Sequence, residues 1–372
     1  MVALNGVLPK RWAQLPANGG KAICAVTADI RADRKQRNRE GILMKAIVCT
    51  KYGSPNVLQF KEIEKPTPKD DEVLVKIQAV SVNAYDWHLL TADIFLVRIM
   101  GGGLLRPKHP ILGEDIAGRI ESTGSYVKQF KKGDEVFGDI AACGSGGFAE
   151  YVSVPEMSLA FKPSNLTFEE AAAVPMAAVT ALQGLRDQGR IQPGQKVLIQ
   201  GASGGVGTFA VQIAKSFGAE VTAVCSTRNL EQARSLGADH LVDYTKEDFT
   251  RSGQQYDLIF AANGYHPLSA YKRALTPQGN YVMAGGSMAQ IFQAMLLGSW
   301  MSKTGGKKMG GVSARPSKED LVFVKGLLEA GKVVPVIDRR YPLSETAEAL
   351  RYLGEGHARG KIVITVEDRS GT

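Results

Sequence analysis

The 372-residue sequence predicts an α/β protein that contains a doubly wound parallel sheet, preceded by a region built from strands. Two observations predict this class. From 197 to 286, short apolar runs alternate with segments of helical period, as in parallel strands joined by helices. From 44 to 154, apolar and polar residues alternate, with turn signals such as Gly53-Ser54-Pro55 between the runs. That pattern is typical of strands with one buried face, and it predicts strands at 44–48, 57–63, 72–82, 116–122, 134–137 and 149–154. The length is sufficient for two domains with substantial cores.

The first strand of the predicted parallel sheet passes into a helix through a glycine-rich turn. An apolar run, Val197–Gln200, is followed by Gly201-Ala202-Ser203-Gly204-Gly205-Val206-Gly207 and then by a helical segment that reaches Lys215. The glycines permit a tight turn, close approach of a ligand and close packing of the helix on the strand. Because the first amides of such a helix can bind a phosphate, the loop predicts a dinucleotide site. The alternative interpretation is a set of ordinary turns.

Four more strands are predicted downstream, with helices at 229–236 and 268–275. The strands are Glu220–Cys225, His240–Tyr244, Tyr256–Ala261 and Asn280–Gly286. Ligands of a doubly wound sheet bind at the carboxyl ends of its strands. Those ends carry Ser203 to Val206, Ser226 to Arg228, Asn263-Gly264 and Gly285-Gly286.

The residues after the second of these strands favour NADPH. NAD sites usually carry an acidic side chain there, which binds the ribose 2′-hydroxyl. This chain has Ser226, Thr227 and Arg228 instead. The hydroxyls can donate hydrogen bonds, and the guanidinium can pair with a 2′-phosphate. The alternative interpretation of Arg228 is a solvated surface charge.

The glycine loop also satisfies G-x-S-x-G, the nucleophile elbow of α/β-hydrolases, with Ser203 as the nucleophile. His266 and His357 are formally available as later histidines. Two observations disfavour a hydrolase. Gly207 extends the glycine spacing of a dinucleotide loop, and no HGGG motif for an oxyanion hole lies upstream.

Motifs in a fixed order carry a family resemblance. They are Met44-Lys45-Ala46, Val82-Asn83-Ala84-Tyr85-Asp86, the stretch 110–118 (PILGEDIAG), 132–136 (KGDEV), 147–151 (GFAEY) and the glycine loop. Together they resemble the medium-chain dehydrogenase/reductase superfamily, and within it the zinc-free quinone oxidoreductase-like branch. The resemblance implies a GroES-like β domain (44–166 and 311–372) split around an inserted Rossmann domain (167–310). A strand at 360–366 would return to the first domain, and 1–43 would be an N-terminal extension.

The motifs and the resemblance together predict the residues that bind NADPH. They are Thr180, Ser203, Gly204, Gly205, Val206, Ser226, Arg228, Tyr244, Asn263, Gly285, Gly286 and Lys361.

The resemblance also locates the positions that hold the catalytic zinc ion in other members of the superfamily. Here they correspond to Asn83, Glu114 and Met176, and an amide, a carboxylate and a thioether make a poor zinc site. A structural zinc needs four closely spaced cysteines. This chain has Cys24, Cys49, Cys143 and Cys225, scattered singly, and its nearby histidines, His88 and His109, are interpreted as structural. The sequence therefore predicts an enzyme without a metal.

Without a Lewis acid, hydride transfer is easiest to an acceptor that is already electron-poor, such as a quinone or an enone. Asn83 resembles an asparagine near the nicotinamide in this branch, and Tyr85 is a further candidate donor to the developing oxyanion. His88 falls near a position where relatives carry a tyrosine, which leaves the proton donor open, with solvent as one source. Structural roles for Asn83 and Tyr85 remain equal alternatives. The runner-up function is an alcohol or carbonyl dehydrogenase of the same fold, and an alternative of another class is a non-catalytic, crystallin-like nucleotide-binding protein.

Two apolar insertions, Ile94–Leu105 and Ser287–Met309, are expected around the substrate cleft and suggest a lipophilic acceptor. Alternatively, a methionine-rich helix at 289–297 forms a core or the contact of a homodimer.

The charge of the chain does not indicate a nucleic-acid-binding protein. Of the formal net charge of +8, +5 lies in residues 1–43, which hold eight basic and three acidic side chains. Three explanations of that segment compete: a start site assigned too far upstream, a disordered tail, or a transit peptide. Transit peptides are rich in serine, and this segment contains none. No run reaches the roughly 18 apolar residues of a membrane span. Unpatterned cysteines fit a reducing compartment, so a cytoplasmic enzyme is expected.

Overall fold

The computed structural model describes residues 43–93, 103–286 and 306–366. Most of the predicted N-terminal extension, most of both apolar insertions and the predicted helix 289–297 lie outside the described residues.

The first part of the chain is built from strands, as predicted. Its strands are β1 (Leu43–Val48), β2 (Gln59–Glu64), β3 (Glu72–Val82), β4 (Asp115–Thr123), β5 (Glu135–Asp139), β6 (Tyr151–Pro155) and β7 (Ala160–Phe161). The sequence predicted all of them except β7, which has only two residues. Between β3 and β4 lies helix α1 (Ala84–Thr91), whose cap is closed by Asp86 Oδ2 accepting from the Asn83 amide at 2.8 Å.

The parallel sheet contains six strands. They are β8 (Lys196–Gln200), β9 (Glu220–Cys225), β10 (His240–Asp243), β11 (Tyr256–Ala261), β12 (Leu275–Met283) and β13 (Lys308–Gly311). Every neighbouring pair is parallel, in the order β10-β9-β8-β11-β12-β13. This is the strand order 3-2-1-4-5-6 of a Rossmann fold, so the predicted fold class is confirmed.

Strand β12 begins five residues earlier than predicted. Tyr256 of β11 is opposite Leu275, and Leu258 is opposite Asn280, so residues 276–279 bulge out of the ladder. Pro277, Gln278 and Gly279 therefore lie in a bulge within the strand.

Eight α-helices lie in the described residues. After α1 these are α2 (Phe168–Ala172), α3 (Pro175–Gln183), α4 (Gly205–Ser216), α5 (Leu230–Ser235), α6 (Leu268–Ala274), α7 (Lys318–Glu329) and α8 (Thr346–Gly354). None of them is long and apolar enough to cross a membrane. Helices α2 and α3 are rich in buried alanine, and these small side chains join one core that reaches Phe137 of β5 and Phe260 of β11.

The chain returns to the first sheet at its end. Strands β14 (Ile337–Pro342) and β15 (Lys361–Thr365) extend the order β14-β15-β3-β4-β5-β7, with β6 paired to β3. Strand β15 was predicted and runs antiparallel to β3, with Ile362 opposite Val82. This register carries Lys361 to the carboxyl end of β3. Strand β14 was not predicted because its sequence, IDRRYP, has no apolar alternation.

Packing of α4 on β8 gives a first testable prediction. A Cβ on Gly207 would lie 2.0 Å from the carbonyl oxygen of Gly201. We expect Gly207→Ala to lower the free energy of unfolding by about 1–3 kcal/mol, since helix and loop must separate. The matched control is Gly326→Ala on α7, where a Cβ meets nothing within 4 Å. That change should raise stability by about 0.5–1 kcal/mol. Denaturant unfolding of both variants measures the difference, and equal effects would contradict this account.

Candidate active site

The glycine loop lies at the point where the strand order of the parallel sheet reverses. Gly201 ends β8 with φ +77°, a left-handed conformation that favours glycine, and Gly204 is the N-cap of α4. The amides of the first turn of a helix have no partners within the helix. The loop thus offers amides at the positive end of a 12-residue helix, as an anionic pyrophosphate requires.

A hydrogen-bonded asparagine links the ends of β8 and β9. Asn229 Nδ2 lies 3.0 Å from Ser203 Oγ and 3.2 Å from Ser226 Oγ, so two predicted cofactor residues come together. Asn229 is buried, and its Oδ1 has no hydrogen-bond partner among the described residues. A ribose hydroxyl of a bound dinucleotide could satisfy that acceptor, so the site fits such a ligand. Sequence reasoning missed Asn229, although it directly follows the predicted Ser226–Arg228 stretch.

Two arginines lie beside the carboxyl end of β9. Arg228 Nη2 donates to the carbonyl of His357 at 3.2 Å, and Arg359 Nη2 donates to the carbonyl of Arg228 at 3.4 Å. Both side chains are exposed. Arg359 was missed because it lies 131 residues further along the chain.

The nearby carboxylate of Asp243 is already occupied. Thr227 Oγ1 donates to it at 2.5 Å and Thr245 Oγ1 at 2.7 Å. These hydrogen bonds, that of Thr227 first, hold the pKa of Asp243 well below its usual range. Asp243 ends β10 rather than β9, so the position beside Ser226 remains without an acid.

The remaining predicted cofactor residues occupy neighbouring strand ends. The exposed ring of Tyr244 stands edge-on to Tyr265, with centroids 6.0 Å apart. The Gly264 amide donates to the carbonyl of Gly285 at 3.0 Å, and Gly264 forms a bridge with Gly286. Asn263 is exposed beside them, and a Cβ on Gly201 would lie 3.1 Å from its backbone nitrogen. Thr180 lies apart from this group, on α3.

Lys361 connects the glycine loop to the first sheet. A Cβ on Gly205 would lie 3.0 Å from Lys361 Cδ, so the lysine stem passes over the loop. Its Nζ donates to Asn83 Oδ1 and lies 3.6 Å from Asp115 Oδ2. Burial raises the pKa of Asp115 and lowers the pKa of Lys361, and their mutual attraction opposes both shifts.

Asp115 is the centre of this buried group. Its Oδ2 also accepts from Asn83 Nδ2 at 3.0 Å and Ser81 Oγ at 3.1 Å, while Oδ1 accepts from the Met176 amide at 2.9 Å. The predicted residue Asn83 is therefore held from both sides of its amide, between Lys361 and Asp115.

Two further carboxyl groups lie below Asn83. Asp86 Oδ1 accepts from the Gly113 amide at 2.9 Å, and Glu114 Oε1 accepts from Ser145 Oγ at 2.7 Å. Burial, and then the charge of Asp86, raise the pKa of Glu114 well above its usual range. Glu114 Oε2 is buried and accepts from no group in the described residues. A protonated Glu114 explains this, because its hydroxyl can donate to Asp86.

A cavity of about 390 Å³ opens beside the two predicted catalytic positions. We name it the main cavity. Its wall consists of Tyr85, Asp139, Ala141, Ala142, Met176, Val179, Thr180, Ala314, Arg315 and Pro316. Tyr85 and Thr180 thus meet at one cavity, whereas Asn83 lies in the buried group behind it. Burial and the nearby carboxylates, Glu114 first, raise the pKa of Tyr85. Sequence reasoning missed Asp139, which ends β5 and has no motif of its own.

The positions that hold zinc in other members of the superfamily do not fit that ion here. Asn83 Oδ1 already accepts from the Lys361 ammonium, Glu114 favours its neutral form, and Met176 offers only a thioether. Within 43–93, 103–286 and 306–366, no group of three or more His, Cys, Asp or Glu residues could hold a metal ion. These donors therefore do not favour a zinc ion at this place.

The nucleophile-elbow interpretation also lacks a partner for the serine. The Ser203 hydroxyl accepts from Asn229, whereas His266 Nε2 lies 3.8 Å from Asp248 Oδ1 among aromatic rings. The side chain of His357 is exposed.

Comparison with known proteins agrees with this architecture. The family model "Alcohol dehydrogenase GroES-like domain" matches residues 69–164, and "Zinc-binding dehydrogenase" matches 236–364. The chain is 35% identical over 340 residues to a chloroplast envelope quinone oxidoreductase homolog of Arabidopsis thaliana, which covers 87% of this chain and 99% of that protein. It is 32% identical to an NADPH-dependent alkenal/one oxidoreductase of the same plant, covering 95% of this chain and 86% of that protein.

The fold has a matching solved structure. The quinone oxidoreductase of Coxiella burnetii superimposes with a TM-score of 0.78 at 29% identity, covering 87% of this chain and all of that one. Strand order, glycine loop and relatives all agree. The chain therefore belongs to the medium-chain dehydrogenase/reductase superfamily, in its quinone oxidoreductase-like branch, and is an oxidoreductase with a nicotinamide cofactor.

Proposed function

We propose that this enzyme uses NADPH, without zinc, to transfer hydride to a quinone or to the β-carbon of an α,β-unsaturated carbonyl. The observation that carries the proposal is the Lys361 ammonium, which contacts Asn83 where the resemblance places a metal. An enzyme without a Lewis acid at that place needs an acceptor that is already electron-poor. The relatives named for quinones and for alkenals and enones act on acceptors of this kind.

The preference for NADPH is proposed from the charge at the end of β9. Arg228 and Arg359 lie together beside Ser226, and the neighbouring Asp243 is occupied by threonine hydroxyls. A 2′-phosphate would find two guanidinium groups there and no free carboxylate among the described residues of that edge. Bound there, the cofactor supplies the hydride. The predicted residues that would hold it are Thr180, Ser203, Gly204, Gly205, Val206, Ser226, Arg228, Tyr244, Asn263, Gly285 and Gly286, with Lys361 against the loop at Gly205.

The main cavity would bind the acceptor. Met176, Val179 and Pro316 give it apolar walls, which suit a lipophilic ring or alkenyl chain. Tyr85, at 42% exposure, can donate its hydroxyl to the acceptor oxygen as negative charge develops there. Asn83 would act from behind the cavity, through its hydrogen bonds to Lys361 and Asp115.

Organisation and location are also proposals. We propose a catalytic domain of 44–166 with 311–372 and an NADP-binding domain of 167–310. The separation of β8–β13 from the other strands supports this division. A homodimer and a cytoplasmic location complete the proposal, although relatives include chloroplast and mitochondrial proteins.

The activity is tested by NADPH oxidation with a panel of quinones, enones and saturated carbonyls. We expect turnover with quinones and enones, and little with saturated carbonyls. Tyr85→Phe should lower kcat/KM about 10-fold, since one hydrogen bond to developing charge is lost. Tyr126→Phe, at an exposed tyrosine outside the cavity, is the matched control. Tight NADPH binding without turnover of any acceptor would instead favour a non-catalytic nucleotide-binding protein.

The cofactor preference is tested with Arg228→Ala and Arg359→Ala. Each should raise the KM for NADPH about 10- to 100-fold and leave the KM for NADH nearly unchanged, because only NADPH carries the 2′-phosphate. Arg273→Ala on α6 is the control, since that exposed guanidinium bonds to Ser269 of its own helix. An unchanged ratio of the two KM values would remove both arginines from the cofactor site.

Metal independence is tested by elemental analysis and by chelation. Purified protein should contain well under one zinc per chain, and preincubation with 1,10-phenanthroline should leave turnover unchanged. One tightly bound zinc per chain, removed together with activity, would overturn this part of the proposal.

A further inference from the structure

Asp139 occupies an unusual place in the cavity wall. It is the last residue of β5, in register with Asp115 of β4, and its Oδ1 accepts from the Ala141 amide at 2.9 Å. It lines the main cavity and also a second cavity of about 140 Å³, whose other wall residues include Ser158, Ser317 and Lys318. The carboxyl group of Asp139 is therefore the acid that both cavities share.

The buried ionisable groups around Asp139 are mostly acids. The titratable and charged groups that face it are Tyr85 and Asp86 of α1, Glu114, Asp115 of β4, Cys143 in the following turn, Lys361 of β15, and Arg315 and Lys318 across the cavities. Helix α3, which packs against β5, carries no charged residue, and Glu170 of α2 is held at its own helix cap.

Position and charge together leave a substantial fraction of Asp139 protonated at neutral pH. Burial, followed by the charge of Asp115, raises the pKa of Asp139 to about 7, and the attraction of Lys361 offsets this only in part. Asp86, Glu114 and Asp115 are fully buried and are absent from the cavity wall, so they cannot touch an acceptor. Tyr85 can touch it, but its raised pKa makes it a weak acid.

We propose that Asp139 is the proton donor that completes the reduction of an α,β-unsaturated carbonyl in the main cavity. The inference rests on the proposed function and names the group that this function leaves open. The proton for the α-carbon would then come from a side chain in the wall of the main cavity rather than from solvent alone.

The proposed reduction consists of a hydride transfer to the β-carbon followed by a proton transfer to the α-carbon. Hydride from the nicotinamide cofactor brings two electrons to the β-carbon, and the π pair of the C=C bond moves toward the carbonyl to give an enolate. The enolate α-carbon then takes the proton of Asp139, so a C–H bond forms as the O–H bond breaks. Asp139 is left as a carboxylate and regains a proton from water that enters the cavity. The net change is reduction of the enone, oxidation of the cofactor and uptake of one proton.

The kinetic test compares two acceptors in Asp139→Asn. General acid catalysis contributes about 10²–10⁴-fold, so kcat with an enone should fall by about that factor. A quinone should lose less than about 10-fold, because its reduced oxygens can take protons from solvent. Asp71→Asn, at an exposed aspartate outside the cavity, is the control. Equal losses with both acceptors would show a structural role, and no loss would show that solvent supplies the proton. If the wild type reduces no enone, the proposed function itself fails on that acceptor.

The pH profile gives a second readout. Because the acid form of Asp139 is required, kcat for the enone should fall as pH rises through about 7, and this limb should be absent in Asp139→Asn. In D2O the wild type should place deuterium on one face of the α-carbon, whereas the variant should give a mixture. Asp139→Glu, which restores an acid, should recover part of the rate. A basic limb that persists in Asp139→Asn would overturn the assignment.

Stability without cofactor gives a readout independent of turnover. Since the pKa of Asp139 is raised on folding, the folded chain holds a proton that the unfolded chain has released between about pH 4 and pH 7. Ionisation therefore lowers wild-type stability as pH rises through that window, and Asp139→Asn escapes this loss. The Tm of the variant minus that of the wild type should increase by a few degrees from pH 5.5 to pH 8. It should stay constant for Asp71→Asn. A constant difference for Asp139→Asn would contradict the proposal, whatever the kinetics show.

Discussion

The site depends on one buried cation, the ammonium of Lys361. Its stem covers Gly205 of the glycine loop, and its Nζ contacts Asn83 and Asp115 of the first sheet. Removing one partner of such a buried pair typically costs about 3–5 kcal/mol, because the other charge is left uncompensated. The ion pair thus ties the returning strand β15 to the cap of α1 and to the dinucleotide loop. Three segments far apart in sequence become one site through it.

The same cation determines how the neighbouring acids titrate. Four carboxyl groups, those of Asp86, Glu114, Asp115 and Asp139, lie around one lysine in the described part of this site. One positive charge stabilises one carboxylate well, and burial then favours protons on the rest. The raised pKa of Glu114 favours its neutral form beside Asp86 and Ser145, whereas the pKa of Asp139, raised to about 7, lets that group carry an exchangeable proton at the cavity wall. The fold therefore places an exchangeable proton where an acceptor would bind.

The sequence was most informative where structure is local. The loop from β8 into α4 depends on consecutive residues, and strands such as β3, β9 and β11 were predicted with their observed bounds. Asn229 could have been noted, because it adjoins the predicted Ser226. Arg359 and Asp139 could not, since the first reaches Arg228 from 131 residues away and the second has a raised pKa only because it is buried beside Asp115. Strand β14 was missed because pairing with β15, not its own periodicity, makes it a strand.

The charged groups behind the main cavity also favour reduction of an acceptor over oxidation of an alcohol. Oxidation of an alcohol requires an alkoxide, and a metal cation normally stabilises that anion. Here the groups behind the main cavity are mostly carboxyls, and Lys361 is already paired with Asp115. Burial behind the cavity, where the one lysine is already paired, raises the proton affinity of any anion formed beside these groups. An alkoxide would be disfavoured there, whereas an enolate that is protonated as it forms would not persist as an anion. Quinones and enones, which end as neutral products after hydride and proton, suit this cavity better than simple alcohols.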